Sequence, residues 1–416
     1  MDIPGKKKAD YFFINGRVVN VYSGEILPHN VAVAGDQIVY VGQSRDLIGP
    51  ETSVIDVRGD FILPGFFDAH GHADLFYNPV SYANDMVTRG TTGMFNDGHD
   101  LANVLGAGPY LEVMSALFDS YLSFYTGFPA ASPPYPGIEG DELWSADDIK
   151  RALAFDHVLS LSEVTPYVRI LKGDRRLTER FAIAKQMGKL IEGHTTGANP
   201  EKLNLLALTG VTSCHESLNA TDVLERIRLG YYVMLRHGSI RQDLPHFVEA
   251  VEQLQGYDTS RLMLVSDGIF ADHLISRGNM DWIIAEAILH GIDPIRAIQL
   301  ATINPARYFR LDHRLGGISA GRLAHLLIAS DLEKPTPRLV MAGGTVVSEN
   351  GELLVPPIEL PAPDPEYRPF KTTRVDSQTF QIKQQTSNSL VPVIRVLDQT
   401  VTDLEIIHMP ASNGLY

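Results

Sequence analysis

Six residues of metal-donor type stand far apart in this 416-residue chain, each at the end of a short apolar run. They are His70 and His72 after FILPGFFDA, Glu163 in SLSEVT, His194 in GKLIEGHT, His215 in GVTSCHE and Asp267 in RLMLVSDG. The His-x-His step puts both imidazoles on one face of a strand, because side chains alternate with period two, and that spacing suits a clamp on one ion. Taken singly, each residue has a plain structural explanation. His194 or His215 can be a hydrogen-bonded core histidine, Glu163 a salt-bridged strand-end carboxylate, and Asp267 a turn residue before Gly268. Their common placement at successive strand ends argues instead for one metal site, and metal-assisted hydrolysis is the chemistry such a set performs. Imidazole and oxygen donors suit Mn, Fe or Zn.

For these ends to meet, the strands must run parallel around one mouth. Residues 62–315 alternate short apolar runs with helical patterns, and GMFND and YYVMLRHG complete the set of strand candidates. Helix starts are marked where Ser145 and Asp148 have capping-box spacing in SADDIKRALAF, and where Asp293 precedes Pro294 in DPIRAIQLATINPARYF. Repeated βα units over this length predict an α/β fold of the (β/α)8, TIM-type barrel class, with the donors at the strand C-termini. No Gly-x-Gly-x-x-Gly or Walker loop argues for a nucleotide fold.

Around the barrel the texture is β. Residues 1–61 hold YFFINGRVVNV, with an Asn-Gly step that reads as a hairpin, and VAVAGDQIVYVG, a second hairpin around Gly-Asp. Residues 316–358 return to strands in HLLIAS and PRLVMAGGTVVS, so the two segments are expected to pair as parts 1 and 2 of a composite β-sandwich. Residues 359–416 open on a Pro-rich connector, LPAPDPEYRPF, and continue into a C-terminal β extension with strands in TFQIKQQ and LVPVIRVLDQTVTDLEII. Ser120 to Gly137, aromatic and Pro-rich, reads as a loop that can serve as a lid, a pocket wall or an oligomer contact.

Composition narrows the partners. With 35 Lys+Arg against 50 Asp+Glu the formal charge is -15, which repels nucleic acid and anionic lipid, and no basic cluster appears beyond Lys6 to Lys8. The single cysteine, Cys214, excludes an internal disulfide and a Cys-rich zinc module, and reads as a small buried residue. No signal-peptide stretch follows the N-terminal lysines and no apolar run has membrane-span length, so a cytoplasmic protein is expected.

The run PGFFDAHGH resembles the first-strand signature of the amidohydrolase superfamily. DGHDLANV, LSEVT, EGHTTG, SCHES, LRHGS, ATINPAR and GGISAGRLAHLLI are similar to segments of its adenine deaminase branch. The resemblance implies two divalent ions per chain, Mn, Fe or Zn. His70 and His72 would hold the more buried ion, Glu163 would bridge, His194 and His215 would hold the second, and Asp267 would be ligand and general base. It implies deamination of adenine or a related amino-substituted heterocycle by attack of a metal-bound hydroxide. Asp97, His99, Arg236 and His237 fall where substrate contacts are expected. Three steps depart from the branch: Asp267-Gly268 stands for Asp-Asp, Arg236-His237-Gly238-Ser239 for Arg-Glu-Gly-Ser, and Asp97-Gly98-His99-Asp100 for Asp-Pro-His-Glu. An amide or lactone hydrolase using the same centre is the alternative enzyme, and a catalytically silent barrel subunit the alternative outside enzymes. Glu216 is expected to face away from His215 by strand alternation, in a structural role. A small-molecule substrate and a homo-oligomer are expected, with a separate chain able to complete the C-terminal region.

Overall fold

The computed structural model describes residues 8–138, 143–254, 256, 258–360, 376–382, 390–398 and 401–410, so Lys6 and much of the Pro-rich connector lie outside the described residues. Eight parallel strands carry the site: β1 (Phe66–Gly71), β2 (Thr91–Asn96), β3 (Ser123–Phe128), β4 (Val158–Val164), β5 (Leu190–Gly193), β6 (Ser213–Cys214), β7 (Tyr232–Arg236) and β8 (Leu262–Val265). Each is followed by at least one helix. β1 to β5 form one ladder and β6 to β8 another. Two seams close the ring. The Gly193 N–H donates to Ser213 Oγ at 3.2 Å, and a parallel bridge joins Gly71 to Asp267, with Asp267 N–H on His70 O at 2.9 Å and His72 N–H on Asp267 O at 2.8 Å. The second seam links two donor-bearing strands directly. β1, β2, β3 and β8 are buried at every residue, as expected of parallel strands covered on both faces. Phe67, Phe95, Tyr125, Met234 and Met263, from five of the strands, share a core with Tyr308 and Phe309.

Helix starts follow the local chemistry. Ser145 and Asp148 form a reciprocal capping box ahead of Ala146–Leu153. Asp293 accepts from the Arg296 N–H with Pro294 in the first turn, although the helix expected there breaks at Ala301 into Pro294–Leu300 and Ile303–Tyr308.

Residues before and after the barrel share two sheets. One orders Gln37–Gly42, Asn30–Ala34, Tyr11–Ile14 and Ser53–Asp56; the other places Leu326–Ala329 between Phe61–Pro64 and Leu339–Ala342. Phe13, Val31 and Val33 of the first sheet pack with Val18, Ile62, Leu326 and Met341 of the second. Three expectations are corrected. Asn15-Gly16 does not close a hairpin: Tyr11–Ile14 and Arg17–Asn20 enter different sheets, so the positive φ at Asn15 turns the chain between layers. Of the two expected hairpin turns, Gly35-Asp36 does join paired strands, Asn30–Ala34 and Gln37–Gly42. FILPGFFDA is two strands split at Gly65, one in each domain, and His70 lies inside the second rather than after it. Ser123–Phe128, read as part of a lid loop, is β3 at the barrel centre, because its apolar and small residues are buried on both faces.

Residues 367–416 form a separate unit. Within it Leu390–Asp398 and Val401–His408 pair antiparallel. The described part of TFQIKQQ, Thr379–Ile382, contains no strand.

His325, at the start of the returning β segment, is buried; its Nδ1 accepts the Gly343 N–H at 3.2 Å and its Nε2 lies 2.9 Å from Ser123 Oγ. Burial pushes its imidazole down from the ordinary 6.5 to about 4. Between those values the unfolded chain binds the proton and the folded one does not, so stability is lost as pH falls through this window. Taking the denaturant midpoint from pH 7 to pH 5 is expected to reveal a loss of about 2 kcal/mol that His325→Gln removes. An identical pH response in the variant would refute the assignment.

Candidate metal centre

The six donors converge at the C-terminal mouth of the barrel. From β1, His70 puts Nε2 3.5 Å from Asp267 Oδ1, and His72 puts Nε2 at the same 3.5 Å from that oxygen. The His70 ring stacks on His215 at 3.9 Å between centroids. Glu163, from β4, sits between the remaining imidazoles: Oε2 lies 2.6 Å from His194 Nδ1 and 2.9 Å from His215 Nε2, and Oε1 lies 3.7 Å from His72 Nε2. His194 and His215 follow β5 and β6 directly, so short strands deliver their side chains to the rim.

Asp267 follows β8 with φ +62°, a left-handed conformation that few non-glycine residues adopt outside Asn and Asp. That backbone turns one carboxylate oxygen toward the imidazoles and the other toward Arg236. Such strain at a cluster of convergent donors is characteristic of functional sites.

Electrostatics and satisfaction fit a divalent cation. Donor atoms of His70, His215 and Asp267 lie within 4.8 Å of one another, as do those of Glu163, His194 and His215, and those of His72, Asp97, His99 and Glu163. Both ring nitrogens of His70, Nδ1 of His72 and Nε2 of His215 are buried and stand outside hydrogen-bond geometry with every described residue, the carboxylates they face included. Unpaired buried imidazole nitrogens facing carboxylates are costly without a ligand. Burial pushes the Glu163 carboxyl up, but the His194 and His215 imidazoles outweigh it and hold the group well below the usual range. Burial likewise opposes ionisation of Asp267, yet His70, His72 and Arg236 keep its carboxyl well below the usual range. Glu163 in turn raises the His194 imidazole to about 9 against its burial. Carboxylates that recruit protons to imidazoles recruit a cation in their place, because metal and proton compete for the same lone pairs.

The four expected substrate residues divide. Asp97, just beyond β2, accepts the Glu163 N–H at 2.8 Å through Oδ2 and faces His99 Nδ1 at 3.1 Å through Oδ1. It therefore holds both Glu163 and His99 in place. His99 reaches the mouth, its ring 5.1 Å from that of His72. Arg236 faces the site, with Nη1 3.0 Å from Asp267 Oδ2. His237 does not: its ring packs on Trp282 at 5.1 Å, with neither nitrogen hydrogen-bonded among the described residues. β7 ends at Arg236, and one residue further His237 packs against Trp282 while the Arg236 guanidinium faces the donors.

Glu216 is the residue that sequence reasoning misplaced. It is buried at the site, with Oε1 3.5 Å from His215 Nε2 and paired to Arg236, and Oε2 accepting from Thr196 Oγ1 at 2.8 Å. The β6 ladder ends at Cys214, so alternation no longer governs positions 215 and 216. Burial opposes its ionisation, but His215, His194 and Arg236 bring its carboxyl down to about 2. Asp68 was also missed; its Oδ1 accepts the His70 N–H at 3.3 Å and the Ser266 N–H at 3.2 Å, tying β1 to β8.

Residues 61–347 match the amidohydrolase family. The chain is 35% identical over 361 residues to adenine deaminase of Moorella thermoacetica, covering 86% of this chain and 60% of that protein. It is 32% identical over 424 residues to adenine deaminase 1 of Carboxydothermus hydrogenoformans, covering 98% of this chain and 70% of that protein. The chain thus spans 60% of the length of the first relative and 70% of the second. Among solved structures, a beta-aspartyl dipeptidase of Fervidobacterium islandicum aligns with a TM-score of 0.63 at 16% identity, covering 85% of this chain and 100% of that one. A D-hydantoinase from Thermus sp. aligns at 0.62 and 14%, covering 84% and 97%. These two likenesses show a shared fold. No helix among the described residues is long and apolar enough to cross a membrane. The signature on β1, the closed ring of strands and the match over residues 61–347 agree: the chain belongs to the amidohydrolase family, in its adenine deaminase-like branch.

Proposed function

We propose that this chain hydrolytically deaminates adenine or a closely related aminopurine, releasing ammonia. The observation that carries the reading is Glu163, whose two oxygens face His72 on one side and His194 with His215 on the other, opposite Asp267. That arrangement fits a carboxylate shared by two ions, with His70, His72 and Asp267 completing one set and His194 and His215 the other. When bound, Mn, Fe or Zn would supply an activated water and offset charge developing on the attacked carbon. Asp267 would take the proton from the attacking water and pass it to the departing amine. Asp97 fixes His99 at the rim, where its imidazole can hydrogen-bond a ring nitrogen of the substrate. The similarity to proteins named adenine deaminase supports the substrate class.

Ammonia release from adenine, by protein reconstituted separately with Mn, Fe and Zn, tests the reading. Turnover that vanishes in Asp267→Asn is the expected result. A metal-loaded protein that releases no ammonia would overturn it in favour of an amide or lactone hydrolase, a reading favoured by Gly268, which leaves no second carboxylate after Asp267.

A further inference from the structure

Behind the donor cluster lies a buried chain of charges that the reaction as described uses at only one point. Arg236 extends from the end of β7 with its side chain 4% exposed; Nη1 bonds both Glu216 Oε1 and Asp267 Oδ2, and Nε reaches Asp243 Oδ2 at 3.3 Å. Asp243 and Glu216 are joined again through Arg241, whose Nη2 is 3.0 Å from Asp243 Oδ2 and whose Nη1 is 3.4 Å from Glu216 Oε2. Three carboxylates and two guanidiniums, all buried, interlock around the one oxygen of Asp267 that faces away from the imidazoles.

A buried charge assembly of this kind is a poor source of net stability, because desolvation consumes most of the Coulomb gain. Fixing one geometry is its better-supported use. Asp267 needs such fixing. Its strained backbone follows a strand only four residues long, and rotation about its side chain would exchange Oδ1 and Oδ2 before the imidazoles.

We propose that Arg236, anchored by Glu216 and Asp243, is a positioning residue that locks the Asp267 carboxylate by holding Oδ2, so that Oδ1 alone is presented to the metal-binding imidazoles. The inference rests on Asp267 serving the metal centre as read above. It assigns Arg236 a role through Asp267 rather than through substrate. A planar guanidinium suits the task because its fork reaches a carboxylate on each side at fixed angles, which a lysine ammonium does not.

The test compares wild type, Arg236→Gln, Arg236→Lys and Asp267→Asn, each loaded with Co(II) and checked for metal content. The visible absorption of the bound Co(II) reports ligand geometry without any substrate. The Arg236→Gln spectrum is expected to move in the same direction as that of Asp267→Asn, with metal retained. On adenine, kcat is expected to fall about 100-fold, the cost of a small misplacement at a reacting group, while KM stays within about threefold. The double variant Arg236→Gln/Asp267→Asn should be no slower than Asp267→Asn alone, because a group acting only through Asp267 has nothing left to position. Arg236→Lys, which keeps the charge, should show the same changes at smaller amplitude and serves if the Gln variant does not fold. An unchanged Co(II) spectrum, or a raised KM at constant kcat, would overturn the proposal and make Arg236 a structural or substrate-binding residue respectively. If wild type proves inert toward adenine while the spectra still move together, the substrate reading fails and the positioning role stands.

Discussion

An Asp267→Asn protein is expected to fold and to keep most of its metal while turnover falls by about 10²–10⁴-fold. The substitution is close to silent for the backbone, because Asn is the other residue that tolerates φ near the observed +62°. Asp267→Ala would remove a carboxylate and strain a left-handed position together, so it tests less. The side chain keeps its shape and one acceptor oxygen, which can still face His70 and His72. What disappears is the negative charge that stands 3.0 Å from the Arg236 guanidinium and the capacity to accept and return a proton. A role confined to holding metal predicts activity falling in proportion to metal content. A role as base predicts full metal and lost turnover. Measuring both on one preparation, with elemental analysis beside initial rates, separates them, and near-normal turnover would sink the assignment.

The donors were legible because of where their strands end. In a parallel ring every strand C-terminus faces one mouth, so His70, Glu163, His194, His215 and Asp267 needed no knowledge of loops to be brought together. The features that escaped depend on geometry finer than strand order. Ser123–Phe128 was hidden by the prolines that follow it: its own residues are small or aromatic, but the nearby PPYPG run made the whole stretch read as a loop. Asn15-Gly16 has the chemistry of a hairpin turn, and only the packing of Phe13 and Val18 into one two-layered core shows that the strands on either side diverge. Glu216 was assigned by parity, a rule that holds while a ladder lasts and fails two residues past its end. Between Arg236 and His237 the sequence offered two candidates for one direction. The choice was made by Trp282, which receives the His237 ring, and by Glu216 and Asp243, which receive the guanidinium.

Glu163→Gln is expected to weaken metal binding by at least about two orders of magnitude and to lower activity with it, so that protein exchanged into metal-free buffer retains fewer ions per chain than wild type. The side-chain volume is preserved, which isolates charge and donor type from packing. An amide presents one oxygen and one N–H pair, whereas the carboxylate offers acceptors in both directions, to His72 through Oε1 and to His194 and His215 through Oε2. Whichever way the amide turns, one side gains a donor that cannot ligate. Position is secured independently, because the Glu163 backbone N–H is held by Asp97 Oδ2 at 2.8 Å and that bond survives the substitution. A loss of metal would therefore follow from the missing charge and not from a displaced strand end. Two tightly held ions in Glu163→Gln, found by elemental analysis after gel filtration, would refute the shared-ligand role. A single retained ion would show which donors suffice alone, and the set of His70, His72 and Asp267, whose imidazoles both face Asp267 Oδ1 at 3.5 Å, is where it is expected to remain.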